Sequence, residues 1–204
     1  MVTALLIQPA FDEPTEIQAR FFYKIYNDLI RLGKVKGIRS VLLFGAKANE
    51  DYFKIALAKF DPEFIYFGGH GLSTRVMGQN ADTLIQFGYN EWLLKDRMVY
   101  AFDCKSANVI GELSGAKAFL GYKSPFYLHE KYAPIFFHVG FYPLLLLYNG
   151  YSFYQAYKST RTLYKRYMNQ YSLPEEVRKL LYRNYRAFVL HGDSNARLLN
   201  ASNL

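Results

Sequence analysis

The sequence predicts an α/β protein, a three-layer αβα sandwich around a mostly parallel central sheet of about six strands. Short runs of apolar residues alternate with longer amphipathic stretches through the first two thirds of the chain. Strands that are apolar on both faces must be covered on both sides, and helices between parallel strands provide that cover. The length of 204 residues suits one domain, which we expect over residues 1–204.

The strands and helices are placed by apolar runs, by helical periodicity and by the turn residues between them. A hairpin is expected at residues 83–87, and a short helical turn near Trp92. The six expected strands cover residues 2–8, 38–44, 64–67, 98–102, 117–121 and 187–190. The expected helices cover residues 15–32, 49–60, 107–113, 134–148, 152–171 and 174–185.

Finer features of three helices can also be predicted. Asn49 suits the N-cap of the second helix. Ser172 and Glu175 have the spacing of a capping box at the start of the last helix. The first helix places a row of apolar residues on one face, which should pack on the sheet. These residues are Ile17, Phe21, Ile25, Leu29 and Leu32.

Composition excludes several classes of protein. Cys104 is the only cysteine, so neither an intrachain disulfide nor a cysteine-rich zinc site can form. A lone thiol suits a reducing compartment, and residues 1–9 lack a basic signal-peptide region, so we expect a cytoplasmic protein. The most apolar stretch, residues 134–148, is shorter than the ~20 residues that span a bilayer and predicts a buried helix, with no membrane association.

Two residues with catalytic potential follow consecutive predicted strands, His70 after the third and Cys104 after the fourth. Each alone has an ordinary explanation, since a histidine among glycines suits a turn and a cysteine ending a strand is usually a small buried residue. Together they lie where parallel sheets carry their active sites, at the carboxyl ends of strands about 4.8 Å apart. An imidazole there can take the thiol proton and make the sulfur nucleophilic.

The glycines around His70 fit the same chemistry. Gly69 and Gly71 carry no side chains, so the backbone could approach a substrate closely. The amides of Gly71 and Cys104 could then face the oxyanion that forms when sulfur attacks a carbonyl group. The sequence therefore predicts nucleophilic acyl transfer at this edge of the sheet.

Two short motifs carry a resemblance to a known family. Residues 65–71 read IYFGGHG, which resembles the His-Gly motif of clan CD cysteine peptidases, the group of caspases, gingipains, legumain, separase and CHAT domains. Residues 99–104 read VYAFDC, which is similar to the strand leading to their nucleophile. Residues 110–123, 141–164 and 188–198 resemble, in order, later segments of gingipain-like and CHAT domains. The resemblance covers residues 2–198.

This resemblance implies a caspase-like fold and a cysteine endopeptidase acting on a protein or peptide substrate. His70 would be the general base or imidazolium partner, Cys104 the nucleophile and Gly71 an oxyanion donor. The reaction would pass through a thioester on Cys104 that water hydrolyses, with neither metal nor organic cofactor. A regulatory protein partner would suit such an enzyme, and an edge strand could pair two copies of the chain.

The residues beside the nucleophile leave specificity open. Several arginine- or lysine-specific members have an acid two residues before the nucleophile, where this chain has Phe102. Because side chains alternate along a strand, Phe102 should share the face of Cys104 and could line an apolar first pocket, whereas Asp103 should point away. Asp103 would then be an internal hydrogen-bonding partner. Asp12 could reach the pocket, or it could only favour the start of the first helix.

Two other functions remain as alternatives. A caspase-like domain can serve as an interaction or scaffold module with little peptidase activity. The net charge of +8, concentrated in residues 158–186, could attract nucleic acid or an acidic partner, although a solvated helix face explains it more simply. His129, His138 and His191 are too dispersed to predict a metal site and are expected to be structural.

Overall fold

A six-stranded sheet forms the centre of the protein in a computed structural model, which describes residues 1–199. Residues 200–204 of the predicted domain lie outside the described residues. In chain order the strands are β1 (Val2–Gln8), β2 (Ile38–Phe44), β3 (Phe64–Gly68), β4 (Gly71–Leu72), β5 (Arg75–Met77), β6 (Thr83–Gln86), β7 (Met98–Phe102), β8 (Ala118–Tyr122) and β9 (Phe188–Gly192). The helices are α1 (Glu13–Lys36), α2 (Glu50–Phe60), α3 (Val109–Leu113), α4 (Ala133–Tyr148), α5 (Phe153–Met168) and α6 (Glu175–Ala187).

The central sheet is mostly parallel, which confirms the predicted fold class. Its strand order is β2-β1-β3-β7-β8-β9, and β9 alone among these strands runs antiparallel to its neighbour. Alternate residues of each strand enter two separate cores. In β1, Ala4 and Leu6 face the core under α1, α4, α5 and α6, whereas Leu5 and Ile7 face the core under α2, α3 and the strands β5 and β6.

The connection between β3 and β7 differs from the prediction. The expected hairpin at residues 83–87 is wrong, because Thr83–Gln86 forms the single strand β6. This strand pairs with β5, and β5 pairs with β4, in a separate three-stranded antiparallel sheet. The helical turn near Trp92 is confirmed as a 3-10 turn over Glu91–Leu94.

Two helix details also differ. Of the row of apolar residues predicted on α1, Leu29 is fully buried, whereas Ile17, Phe21, Ile25 and Leu32 are only partly buried. The row also contacts α4, where Phe21 stacks on Phe137. The fully buried positions include Gln18 and Phe22. The capping box predicted from Ser172 is wrong, since α6 begins after Pro174 without a side-chain cap.

The apolar stretch near residue 140 is the buried helix that its composition predicts. Most residues of α4 are buried, and Pro143 lies inside the helix without ending it. Within residues 1–199, no helix is both long enough and apolar enough to cross a membrane. This helix closes one side of the cavity described next, through Phe137.

Candidate active site

The register of two adjacent strands brings His70 and Cys104 to the same edge of the sheet. β3 and β7 are parallel neighbours, as predicted, and Gly68 lies opposite Phe102 at their carboxyl ends. His70 and Cys104 each follow two residues after this pair, so both leave the sheet at equivalent points. They open into one cavity of about 250 Å³. The other lining residues are Pro14, Thr15, Gln18, Gly69, Phe102, Asp103, Phe126, Leu128 and Phe137.

The imidazole of His70 has a carboxylate partner. Its Nε2 atom lies 2.7 Å from Oδ2 of Asp12, and both side chains are partly exposed. Asp12 is also the N-cap of α1, where Oδ1 accepts hydrogen bonds from the backbone N–H and the hydroxyl of Thr15. Asp12 therefore has the helix-capping role considered from the sequence, whereas it is not among the residues that line the cavity. Its contact with His70 was not predicted, and it leaves Nδ1 as the ring nitrogen free to act on a proton.

Hydrogen bonding keeps Asp12 ionised. Burial raises the pKa of this carboxyl, but the hydrogen bonds from Thr15 and His70 outweigh burial and leave the pKa below its ordinary value. A carboxylate beside an imidazole fixes the orientation of the ring and stabilises the imidazolium that forms when the ring takes a proton. His70 thus has a carboxylate partner, and both His70 and Cys104 line the same cavity.

The surroundings of Cys104 favour the protonated thiol. Burial raises its pKa, although the backbone N–H of Phe126 partly opposes the shift by donating to Sγ over 3.3 Å. Within the described residues, the sulfur of Cys104 is hydrogen-bonded by the N–H of Phe126 and not by the imidazole of His70. The next residue, Lys105, has a φ of 66°, a left-handed conformation that is strained for lysine and turns the chain sharply after Cys104.

The two glycines beside His70 are required by close contacts. Gly69 has a φ of 97° and packs against the ring of Pro9, so a side chain there would be strained and would clash. A Cβ atom on Gly71 would lie 2.6 Å from the carboxyl carbon of Asp103. The two-residue hairpin between β4 and β5 closes on Leu72 and Arg75, so the N–H of Gly71 points away from β5. Gly71 itself is not among the residues that line the cavity.

Phe102 and Asp103 both line the cavity, but their side chains have different surroundings. Phe102 is 1% exposed, and its ring packs into the aromatic core beneath the cavity. The carboxyl of Asp103 is buried, and it is an internal hydrogen-bonding partner: Oδ1 accepts a hydrogen bond from Ser106, whereas Oδ2 lies without a partner against Gly71. Burial raises the pKa of Asp103 well above its ordinary value, and the Ser106 hydrogen bond only partly offsets this.

This buried carboxyl predicts a pH dependence of stability. The folded state holds the proton of Asp103 more tightly than the unfolded chain, so the free energy of unfolding should fall as pH rises from the ordinary pKa of 3.8 to the raised folded value. The slope is up to about 1.4 kcal/mol per pH unit for one proton. Urea denaturation at a series of pH values should show this decline, and Asp103→Asn should remove it. Ser106→Ala should extend the decline to higher pH, whereas parallel curves for all three proteins would contradict the assignment.

Gln18 joins the segments that carry His70 and Cys104, and the sequence did not identify it. Its Oε1 atom accepts from the backbone N–H of Gly69 over 2.6 Å, and its Nε2 atom donates to the carbonyl of Phe102 over 2.7 Å. Oε1 also accepts from Gln8, whose own Oε1 accepts from the hydroxyl of Tyr66. A glutamine in an amphipathic helix usually faces solvent, so its type gave no signal for this role.

The segment between β8 and α4 forms the other wall of the cavity and was also missed. It contributes Phe126 and Leu128 to the lining, and the N–H of Phe126 to the sulfur. The adjacent Tyr127 is held by Asn184 of α6, a buried residue whose side-chain amide accepts from the N–H of Tyr127 and donates to its carbonyl over 2.8 and 2.7 Å. The segment has no regular periodicity from which this position could be inferred.

The remaining candidates lie away from the cavity. His191 hydrogen-bonds to the carbonyl of Ala107, and His138 to the hydroxyl of Tyr167. On the basic helices, Arg161 stacks over Tyr185 at 3.8 Å from the ring centroid. Within residues 1–199, no group of three or more His, Cys, Asp or Glu is arranged to hold a metal ion.

The fold and this site together define an α/β protein in which a cysteine and a histidine line one cavity at the carboxyl edge of a mostly parallel sheet, and an aspartate contacts the histidine. Neither the models of known protein families nor the curated protein sequences match this chain. The functional conclusion therefore depends on the geometry and chemistry of the site itself.

Proposed function

We propose that the protein is a caspase-like cysteine endopeptidase, with Cys104 as nucleophile, His70 as general base and Asp12 as the residue that positions the imidazole. The observation that carries the proposal is the convergence of His70 and Cys104 on one cavity from adjacent parallel strands, with a carboxylate on the far side of the imidazole. That carboxylate was an open alternative in the sequence, and its contact adds a third member to the predicted dyad.

The reaction follows from these positions. Nδ1 of His70 takes the thiol proton as Sγ of Cys104 attacks the peptide carbonyl, and the negative charge passes to the carbonyl oxygen. The amides of Gly71 and Cys104 donate to that oxyanion. When the tetrahedral intermediate collapses, the C–N bond breaks and the imidazolium gives its proton to the leaving amine. Water, deprotonated by His70, then hydrolyses the thioester and restores the thiol.

The raised pKa of Cys104 bears on the first step. A preformed thiolate–imidazolium pair would need a lowered thiol pKa, whereas burial raises the pKa of this thiol. Proton transfer to His70 therefore belongs to the attack on the substrate and is not complete beforehand. The sole cysteine must also stay reduced, which suits a protein of the cytoplasm.

The raised pKa of the Cys104 thiol also favours the alternative, a caspase-like interaction module with little activity. The sulfur is held by the N–H of Phe126, and a protonated thiol is a poor nucleophile. In that alternative the cavity would bind a segment of a partner protein without cleaving it. The experiment below separates the two.

The test is cleavage of a mixed-sequence peptide library by the wild type, Cys104→Ala and His70→Gln. We expect cleavage by the wild type and a loss of at least about 1,000-fold in both variants. His138→Gln is the matched control, because this histidine contacts α5 and does not line the cavity, and it should cleave like the wild type.

Thiol labelling gives a second readout that is independent of the library. Because Cys104 is the only cysteine, its loss abolishes labelling trivially, so His70→Gln is the informative variant. The pH midpoint of alkylation should lie above that of the urea-denatured chain, since burial raises the thiol pKa. A wild type that cleaves nothing and is alkylated at the same rate as His70→Gln would overturn the peptidase and leave the interaction module.

A further inference from the structure

We infer that the cavity is the pocket for the residue whose carbonyl is attacked, and that it selects a large apolar side chain, leucine or phenylalanine in size. The inference rests on the proposed peptidase, because it assigns the substrate class of the same site. The cavity begins at Cys104 and His70, so the side chain next to the attacked carbonyl is the one that can enter it.

Much of the cavity lining is apolar. Phe102, which we call the floor because it is only 1% exposed, is joined by Phe137 of α4 and by Phe126 and Leu128 of the segment before α4. Pro14 at the start of α1 also lines the cavity. Burying a leucine or phenylalanine side chain against such a surface contributes favourably without any specific polar contact.

The floor is fixed in position by its surroundings. The ring of Phe102 packs edge-on against Phe126 and Phe141, with centroids 4.9 and 5.0 Å away. The backbone of Gly140 lies against the same ring so closely that any side chain at residue 140 would overlap it. Because the ring cannot move aside, the depth of the cavity is set, and at about 250 Å³ it is smaller than the ~300–1,000 Å³ of sites for whole drug-sized ligands. One side chain fits such a volume.

Charged side chains lack a partner in this cavity. Among the described lining residues, the ionisable groups are His70, Asp103 and Cys104, and neither lysine, arginine nor glutamate is present. The carboxyl of Asp103 is turned toward Ser106 and Gly71, and Asp12 is engaged by His70 and Thr15. A lysine, arginine or acidic side chain would lose its hydration on entering the cavity and would find no oppositely charged partner there. Such a transfer is strongly unfavourable.

The experiment varies only the residue that precedes the cleaved bond in a fixed peptide. For the wild type, kcat/KM with leucine or phenylalanine should exceed that with lysine, arginine, aspartate or glutamate by at least about 100-fold. Leu128→Glu adds a carboxylate to the wall and should lower the ratio of leucine to lysine cleavage by at least about 10-fold. Leu128→Ala enlarges the cavity and should shift preference toward tryptophan, and it serves if the glutamate variant folds poorly.

Leu113→Glu is the matched control, because Leu113 is 58% exposed on α3, outside the cavity, and the change in chemistry is identical. It should leave the preference unchanged. A wild-type preference for a charged residue, or equal shifts in Leu113→Glu and Leu128→Glu, would overturn the inference and leave the peptidase in place.

Absence of any peptide cleavage would count against the proposed peptidase and not against the apolar pocket. A binding measurement tests the pocket in that case. Cys104→Ala is titrated calorimetrically with peptides that end in phenylalanine, lysine or glutamate, which mimic the product carboxylate. The phenylalanine peptide should bind at least about 10-fold more tightly than the other two, and Leu128→Glu should reduce that difference. Equal affinities would refute an apolar pocket even in an inactive protein.

Discussion

Gln18→Leu is expected to lower the free energy of unfolding by about 3 kcal/mol, since each buried group left without a hydrogen bond costs about 1–3 kcal/mol. Leucine fills similar space but leaves the N–H of Gly69 and the carbonyl of Phe102 unpaired. Because these groups precede His70 and Cys104, the two catalytic segments lose their common support. A displacement of about 1 Å between them would reduce kcat/KM by about 100-fold. Urea denaturation and peptide hydrolysis measure the two effects.

Leu29→Ala is the control for the loss of stability alone. Leu29 is fully buried on the same helix, eleven positions beyond Gln18, which is about 16 Å along the helix axis at about 1.5 Å per residue. A buried leucine truncated to alanine costs about 2–5 kcal/mol, but this one does not line the cavity. It should keep wild-type kcat/KM well below its unfolding temperature. Equal losses of activity in both variants would mean that Gln18 contributes stability and no positioning.

Asp12→Asn should reduce kcat by about 100- to 10,000-fold while leaving KM nearly unchanged. The asparagine amide would donate to Nε2 of His70, which forces the ring proton onto Nδ1 and removes the base that faces the thiol. Steady-state kinetics on the best library peptide measures the split between kcat and KM. Asparagine is as good an N-cap as aspartate, and Thr15 can still donate to Oδ1, so stability should fall by less than about 1 kcal/mol.

Asn49→Ala controls for any contribution of helix capping. Asn49 caps α2 through the N–H of Tyr52, on the opposite face of the sheet from α1. Its loss should cost about 1 kcal/mol of stability without changing kcat. If Asp12→Asn retained full kcat, the contact with Asp12 would not determine which ring nitrogen of His70 carries the proton. The catalytic group would then consist of His70 and Cys104 alone.

The sheet and the positions of His70 and Cys104 could be predicted because they depend on local patterns. β1, β2 and β7 have the predicted bounds, since short runs apolar on both faces end at turn residues. A histidine and a cysteine after consecutive parallel strands then had to share an edge. What the sequence left open was the role of Asp12, either in the pocket or at the start of α1, and its contact with His70 was not predicted.

The supports of the site could not be predicted because they depend on contacts between distant segments. Gln18 is 84 residues from the carbonyl of Phe102 that it binds. Phe126 lies in a segment without regular structure, so only the tertiary fold places its N–H beside Cys104. The small sheet of β4, β5 and β6 was not predicted, because β4 and β5 have two and three residues and give too short an alternation to recognise.

The contact of Asn184 with Tyr127 sets the order in which the site can be completed as the chain is made. His70, Cys104 and Asp12 all precede residue 105, but the wall beside the sulfur is fastened by a residue 57 positions after Tyr127. During synthesis from the N-terminus, the nucleophile therefore emerges well before its surroundings can close. A nascent chain that ends before α6 holds the reactive residues without the wall that confines them.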